Sequence, residues 1–380
     1  MSRAGRTVVV VGGGIIGVSS AVHLARAGCR VTLVTETGLH SGASGRSLSW
    51  INSAATCGEP YHRLRLVGID RYRTLAASRP EVDWLRFDGG LRWRAEDEAE
   101  QLRAEHDHQR TVGYASRLVD PDEVGALAPG VDPRSVPGTG ALWNPGEGWV
   151  DLPSLIGHLL REYLERGGDL HIHTGRSAPL VAGGAVTGVR TGTGETHLAD
   201  AVLLATGAGV PRTVAELGVT IPDATSLAFL VTTTPFRHGL RAVLNTPRAS
   251  LRPQPGGGLA VNADWTVDDV EARPDGGHAM PSATVQALLA EASRLLVGRP
   301  RLEVAWSGTG AKPVPGDGLP VLGRLEEVAG LHLAFTHSGA TLGLVAGELL
   351  ADEIVRGEPH PLLAEFTPQR FQVPTAGPAR

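Results

Sequence analysis

The chain has 380 residues, 42% hydrophobic and 20% charged, with a formal net charge of −5. That length can bury the cores of roughly two or three domains, and an acidic balance with no basic stripe excludes a nucleic-acid-binding surface. Fifty glycines and 26 prolines lie dispersed between periodic segments, which reads as turn-rich globular structure, and two cysteines, Cys29 and Cys57, are too few for a disulfide framework.

The first strand begins by residue 7, leaving no room for a signal peptide, and no uninterrupted apolar run has membrane-spanning length, so the expected location is cytoplasmic. Val8 to Val11 is an apolar β-branched run, and Gly12, Gly14 and Gly17 fill a G-x-G-x-x-G pattern. Val18, Ala21, Val22, Leu24 and Ala25 then form the apolar face of a helix that stops at Gly28, with Cys29 behind it as a small buried hydrophobe. Gly12 permits a tight turn, Gly14 lets backbone approach a pyrophosphate, and Gly17 lets helix and strand pack closely, while the helix N-terminus offers N–H groups to phosphate. Glu36 closes a second strand at roughly the 20-residue spacing where a carboxylate accepts hydrogen bonds from a ribose 2′-hydroxyl, which favours FAD or NAD over NADP.

Residues 41 to 52, SGASGRSLSWIN, have the Gly and Ser density of a loop that surrounds a polar ligand, or of a plain surface loop. Glu59 to Ala77 is predicted as a helix with Leu64, Ile69, Tyr72 and Leu75 inward, and residues 80 to 145 read as a less regular, charge-rich region. After Trp149 a strong helix is predicted, with Asp151 as its cap, Leu152, Leu155, Ile156, Leu159, Leu160, Tyr163 and Leu164 on one face, and Gly167 at its end. Leu170 to Thr174 and Val181 to Arg190 read as strands of a small meander, and residues 200 to 209 as a buried strand entering a glycine turn. His171 and His173 alternate on a strand without an acidic or cysteine partner at ligand spacing, so no metal site is read there. Strands at Ser226 to Thr232 and Leu259 to Asn262, a helix around Thr284 to Leu296, and a strand at Leu331 to Phe335 follow; the last enters a helix with Leu342, Val345, Leu349, Leu350 and Ile354 on its apolar side.

The dinucleotide-like pieces are therefore discontinuous. A nicotinamide enzyme usually completes its nucleotide site within one contiguous half, whereas here a C-terminal strand, turn and helix are offered back to the same site. A flavin ring needs such a partner: reduction places negative charge on its N1/C2 carbonyl side, which N–H groups around Gly339 to Leu342 can stabilise.

Together with the N-terminal fingerprint, the segments ASGRSLSWIN, ATGAG, KPVPGDGLPVLG (residues 312 to 323) and FTHSGATLG (335 to 343) resemble the D-amino-acid oxidase superfamily of FAD-dependent, glycine oxidase- and sarcosine oxidase-like amine oxidoreductases. The match runs in order through essentially the whole chain. The resemblance implies an α/β fold: a discontinuous Rossmann-like FAD-binding domain over residues 1–75, 147–225 and 305–370, a second α+β substrate domain built on an antiparallel sheet over residues 76–146 and 226–304, and a C-terminal tail, 371–380. It places the flavin ring at their interface. Carried over by motif, Gly12, Gly14, Ile15, Ile16 and Gly17 meet the pyrophosphate and Glu36 the ribose. Ser44, Gly45, Arg46 and Ser47 lie along the pyrophosphate and flavin, Ser177 at the adenine, Thr206 and Gly207 near the pyrophosphate, and Gly339, Ala340, Thr341 and Leu342 at the flavin pyrimidine edge.

The implied activity is hydride transfer from a substrate α C–H to flavin N5, giving an imine that water hydrolyses, with positioning supplying much of the catalysis. The departures concern substrate. Lys312 stands before Pro313 where glycine oxidase and its relatives carry an Arg, and a point charge on a flexible stem is not a bidentate fork. Lys312 pairs with a substrate carboxylate, assists electron transfer to oxygen near N5, or is an ordinary surface lysine. Gly310 replaces the cysteine that links the flavin in sarcosine oxidase, so FAD is expected to be non-covalent, and Gly343 replaces that group's carboxylate-binding lysine. Further pocket candidates are Trp50, Arg252 and Trp306, the last more readily a core aromatic, and His62, a candidate catalytic base or a helix-surface histidine. The expected partners are a small amine or amino acid and, as in some relatives, a second subunit or copy. The alternatives are an FAD-dependent monooxygenase and a flavin-bearing electron-transfer subunit of a larger dehydrogenase.

Overall fold

Four consecutive valines, Val8 to Val11, leave no polar face for water, and all four are buried, which suits β1 (Thr7–Val11) to the middle of a parallel sheet. The computed structural model describes residues 5–54, 57–273 and 277–372. It divides into two units: one of the described residues of Met1–Gly45, Pro153–Ser226 and Ala311–Arg380, the other of those of Arg46–Leu152 and Leu227–Gly310.

The first unit opens with β1, α1 (Ile15–Arg26) and β2 (Arg30–Val34). The second begins with β3 (Trp50–Ile51), α2 (Glu59–Ser78), β4 (Leu85–Arg86), β5 (Gly90–Arg92), α3 (Ala99–Thr111), β6 (Arg117–Val119), α4 (Pro121–Leu127), β7 (Ala141–Asn144) and β8 (Gly148–Val150). The chain returns through α5 (Leu152–Glu165), β9 (Asp169–His171), β10 (Ala178–Ala182), β11 (Ala185–Arg190), β12 (Thr196–Leu198), β13 (Ala201–Leu204) and α6 (Val210–Ala215). It then supplies β14 (Ser226–Thr233), β15 (Val243–Asn245), β16 (Ser250–Pro253), β17 (Leu259–Asn262), β18 (Glu271–Ala272), β19 (His278–Ala279), α7 (Ser282–Arg294) and β20 (Val304–Lys312). It closes with β21 (Val321–Arg324), β22 (Leu331–Phe335) and α8 (Gly339–Arg356).

In the first unit the sheet order is β21-β22-β13-β1-β2-β9. The run from β22 to β9 is parallel and β21 is an antiparallel edge. Chain order reverses between β1 and β13, the kind of switch point at which α/β sheets bind ligands outside their strand ends. Helices α1 and α8 cross closely: a Cβ at Gly347 would lie 2.3 Å from Ser19 Oγ. Tyr163 of α5 ties the far edge, its hydroxyl 2.7 Å and 2.8 Å from the carbonyls of Val31 and Asp169. A second, antiparallel sheet has the order β10-β11-β12.

The second unit is built on a sheet of order β20-β14-β17-β16-β15-β5-β7-β6, with a smaller sheet β3-β8-β4. From β14 to β6 its pairings are antiparallel except for β15 with β5. Its core gathers Leu91, Val119, Trp143, Val231, Leu244, Leu251, Val261 and Leu288. Among the described residues no helix is long and apolar enough to cross a membrane.

The described residues of 46–75, 147–152 and 305–310 group with the second unit: Trp50 pairs with Trp149, and Arg65 of α2 reaches back to Asn52, its Nε and Nη2 donating to the carbonyl and Oδ1. Several expectations are corrected. The region 80 to 145 holds two helices and strands of the large sheet. Its charges pair with one another, as Arg92 and Arg94 do with Glu105, so amphipathicity hides behind polarity. The predicted strand over 181–190 is a hairpin, β10 and β11 turning at Gly183 and Gly184, both with positive φ. Leu164 is exposed, since each i, i+4 step drifts about 40° around the helix and carries the last residue off the buried stripe. Trp306 is 42% exposed on the edge strand β20 and is no core aromatic. Residues 373–380 of the expected tail lie outside the described residues.

Candidate cofactor-binding site

Because β1, β2, β13 and β22 are parallel, the turns leaving them lie along one sheet edge, and that edge collects most of the candidate residues. At Gly12 φ is +123°, and a Cβ would sit 2.3 Å from the Ala205 carbonyl oxygen, so only glycine fits this turn. A Cβ at Gly17 would lie 2.0 Å from the Gly12 oxygen, which enforces the close helix-to-turn packing. Gly14 precedes the first residue of α1, and a Cβ there meets only Ser44 Oγ, at 3.2 Å. Ile15 and Ile16 are buried and open the helix.

The Gly/Ser loop folds onto this turn. His40 donates its N–H to Gly13 O (2.9 Å), and Ile15 donates its N–H to Ser44 Oγ (3.0 Å). Ser44 thereby engages one of the helix's unpaired N–H groups and keeps its own hydroxyl proton for another acceptor. Gly45 is constrained too, a Cβ there falling 2.3 Å from His40 O.

Glu36 is exposed two residues beyond β2. Its backbone is held in place: the Gly175 N–H donates to Glu36 O (3.1 Å) and the Thr174 hydroxyl to Thr35 O (3.2 Å). Besides Ser20 Oγ inside α1, two buried hydroxyl oxygens on this unit, Ser177 Oγ and Thr206 Oγ1, have no hydrogen-bond partner among the described residues. Buried hydroxyls in that condition await a ligand or water. Gly207 has φ +58° beside Thr206. Gly339, Ala340, Thr341 and Leu342 form the first turn of α8 directly after β22, with Leu342 fully buried below it. Two helix N-termini, two glycine turns, orphaned hydroxyls and one carboxylate make a donor set that fits FAD: N–H and O–H for a pyrophosphate, an acceptor for ribose hydroxyls, a positive helix end for an anionic ring edge. Lys312, half-buried, ends β20.

The remaining candidates belong to the second unit. A Cβ at Gly310 would lie 2.5 Å from Arg46 Cδ, so the glycine at the flavin-linking position makes room for that arginine. Ser47 Oγ accepts the Ser49 N–H (3.0 Å), in a turn where Ser49 has φ +57°. Trp50 Nε1 donates to Glu147 Oε2 (2.7 Å), with the Arg92 guanidinium 5.3 Å from its ring centre. Tyr114 donates to the other carboxylate oxygen (2.7 Å) and accepts the Ser53 N–H (3.0 Å). Glu147 is wholly buried, and burial pushes its pKa up to about 7 against the pull of Arg92 and its two donors.

Arg252 is 2% exposed and engaged at each guanidinium nitrogen: Nε donates to Leu48 O (2.6 Å), Nη1 to Pro253 O (2.8 Å), and Nη2 pairs with Asp151 (3.2 Å) over the Trp149 ring. Its fork is used inside the protein, held in part by Asp151, the residue before α5. His62 is 5% exposed, 2.8 Å from Ser53 Oγ and edge-on to Tyr114, so it is no surface histidine. Burial, and then Arg65, lower its pKa, and its Nε2 is buried without a hydrogen-bond partner among the described residues. Sequence reasoning missed Glu147, Tyr114 and Asn52, whose partners are distant in sequence, and Gly13, packed on Thr35.

Comparison with known proteins agrees with this geometry. The family model described as FAD dependent oxidoreductase (DAO) matches residues 7–353. Glycine oxidase of Geobacillus kaustophilus is 27% identical, over 95% of this chain and 96% of its own. A D-amino acid dehydrogenase of Cereibacter sphaeroides is 28% identical, over 97% and 96%. The crystal structure of the Geobacillus kaustophilus glycine oxidase superposes with a TM-score of 0.80 at 24% identity, covering 97% of this chain and all of that one. The chain belongs to the DAO family of FAD-dependent oxidoreductases.

Proposed function

We propose that this FAD-dependent oxidoreductase oxidises a C–N bond of an amino acid or of a primary or secondary amine to the imine, which water hydrolyses to a carbonyl compound and ammonia or an amine. The observation that carries this reading is the convergence of the α1 and α8 N-termini, the Thr206-Gly207 turn and Glu36 along one sheet edge in a chain matched end to end by amino-acid oxidising relatives. Bound FAD supplies the two-electron acceptor for the substrate's α C–H hydride.

The chain's own residues bind and orient. The backbone from Gly12 to Gly17, with Ser44 and Gly45, holds the pyrophosphate, and Glu36 accepts from ribose hydroxyls and repels a 2′-phosphate. Ser177 and Thr206 spend their unpartnered hydroxyls on the adenosine and pyrophosphate. The first turn of α8, Gly339 to Leu342, faces the edge of the ring where negative charge accumulates. Lys312 offers a point charge to a substrate carboxylate, a looser grip than a bidentate arginine and one that tolerates amines without a carboxylate.

The test is anaerobic. Purified protein is mixed with D- and L-amino acids, N-methylglycine and cyclic amines while flavin absorbance near ~450 nm is followed. Bleaching by one of these classes supports the reading, and admitting air separates oxidase from dehydrogenase. Reduction by NAD(P)H with no response to any amine overturns it in favour of a monooxygenase or reductase. In Lys312→Met, unchanged turnover, KM and reoxidation rate remove that residue from the pocket.

A further inference from the structure

Three side chains with metal-binding donors meet on the first unit, and none of them is among the cofactor-binding residues described above. His171 ends β9, the edge strand of the parallel sheet, while Glu195 and His197 flank the start of β12 in the antiparallel sheet. Their ligand atoms all lie within 4.8 Å of one another. Glu195 Oε2 is 3.9 Å from His171 Nδ1 and 3.8 Å from His197 Nε2, and the two imidazoles stand 4.6 Å apart at 60°. Around a tetrahedral Zn2+ with bonds of about 2.1 Å, donors sit roughly 3.4 Å apart, so each Glu195–histidine pair needs to close by about 0.5 Å and the histidine pair, within 4.8 Å, by about 1.4 Å at most.

Three details point to a ligand and not to an incidental cluster. His171 Nε2 lies 2.9 Å from Asp169 Oδ2; a carboxylate only accepts, so the ring proton sits on Nε2 and the Nδ1 lone pair is left toward Glu195 and His197. A carboxylate that orients a histidine in this way is the usual outer partner of a metal-bound imidazole. His197 Nε2 is buried with no hydrogen-bond partner. Glu195 is fixed by its backbone, its N–H donating to Thr191 Oγ1 (3.0 Å) and its carbonyl accepting the Thr191 N–H (2.9 Å).

We propose that His171 Nδ1, His197 Nε2 and Glu195 Oε2 form a binding site for a divalent late-transition-metal ion, Zn2+ before others, that cross-links β9 to β12. Imidazole with one carboxylate suits Zn2+ better than Mg2+ or Ca2+, and three protein ligands leave a position for water. The ion pins the strand whose carbonyl, at His171, accepts the Thr35 N–H (2.9 Å) beside Glu36, so it stiffens the ribose end of the cofactor edge.

Tag-free, FAD-loaded protein, stripped with chelator, is titrated with Zn2+ alone by calorimetry and then melted with and without the ion. A single Zn2+ per chain and a raised Tm are expected. Asp169→Asn weakens binding on the order of 10–100-fold. His171→Ala and His197→Ala weaken it further, and His173→Ala, exposed two residues on and outside the cluster, leaves it unchanged. Glu195→Gln, on an exposed turn, repeats the test should a histidine variant fail to retain flavin. No Zn2+ uptake, or uptake that survives His171→Ala and Glu195→Gln, overturns the site.

Discussion

Replacing Glu147 by Gln should flatten the pH dependence of stability between about pH 5 and 8. The carboxyl is fully buried and its pKa rises from 4.5 to about 7, chiefly by desolvation. The folded state therefore holds this proton more tightly than the unfolded chain, and unfolding releases it between those two values. The stabilisation is complete below pH 4.5 and is lost as pH rises through 7. A difference of about 2.5 pKa units amounts to roughly 3 kcal/mol, an order-of-magnitude figure for a group with no solvent to share the charge. Glutamine cannot ionise, so this decline disappears. The variant carries a different cost at all pH values: the Trp50 N–H and Tyr114 hydroxyl both donate to the carboxylate, and an amide offers one oxygen for the two. That mismatch costs about 1–3 kcal/mol. Urea unfolding of both proteins, followed by tryptophan fluorescence at half-unit steps from pH 5 to 8.5, should show the variant less stable at pH 5 and the gap closing or reversing by pH 8. Parallel curves across the range would refute the assignment, because they would mean that Glu147 titrates outside that window.

Gly17→Ala puts a methyl 2.0 Å from a backbone oxygen that does not move freely; the expected result is ~1–3 kcal/mol of overpacking, read as a lowered Tm, and a visibly poorer flavin-to-protein absorbance ratio, and stoichiometric FAD at an unchanged Tm would count against the turn. Arg252→Met leaves Asp151 buried without its cation and should cost about 3–5 kcal/mol in denaturant while the KM of the folded fraction stays near wild type; a raised KM at unchanged stability would return Arg252 to the substrate site. Glu162 is held down to about 2, first by its hydrogen bond from Arg26, yet the pair is solvent-screened, so Glu162→Gln should cost under ~1 kcal/mol at pH 7. Since its folded pKa is depressed, that stability is present above about 4.5 and fades as pH falls toward 2, and thermal melts at pH 7 and pH 3 should show the wild type converging on the variant.

The parts of the fold legible in the sequence are those whose residues have only local reasons to be where they are. Val8 to Val11, the three glycines after them and the run from Leu331 into α8 carry their period and turn chemistry within a dozen residues. Strand β22 and strand β17 fall on the expected residues for the same reason. The unit boundary was not legible, because it depends on Arg65 bonding to Asn52 and on Trp50 pairing with Trp149 across almost a hundred residues. Nor was the histidine cluster: local spacing offers His171 only His173, which turns away at φ +57°, while its companions arrive from β12 through the hairpin of β10 and β11.

The substrate residues were the least legible of all. An arginine, a histidine and a tryptophan near a cofactor loop look alike in sequence whether they face a ligand or each other, and what separates the cases is a count of partners. Arg252 spends its fork on two carbonyls and Asp151, and Trp50 its N–H on Glu147. Those bonds would have to break before either group could serve a substrate, at the expense of a buried polar atom left unsatisfied. His62 engages Ser53 through Nδ1 alone, its Nε2 being buried without a hydrogen bond. Ser177 Oγ, Thr206 Oγ1 and His197 Nε2 are the opposite case, buried polar atoms without a hydrogen bond. Burial without a partner is costly for a folded chain to maintain; the reading proposed above has FAD restore the missing bond at the first two atoms and a metal ion at the third.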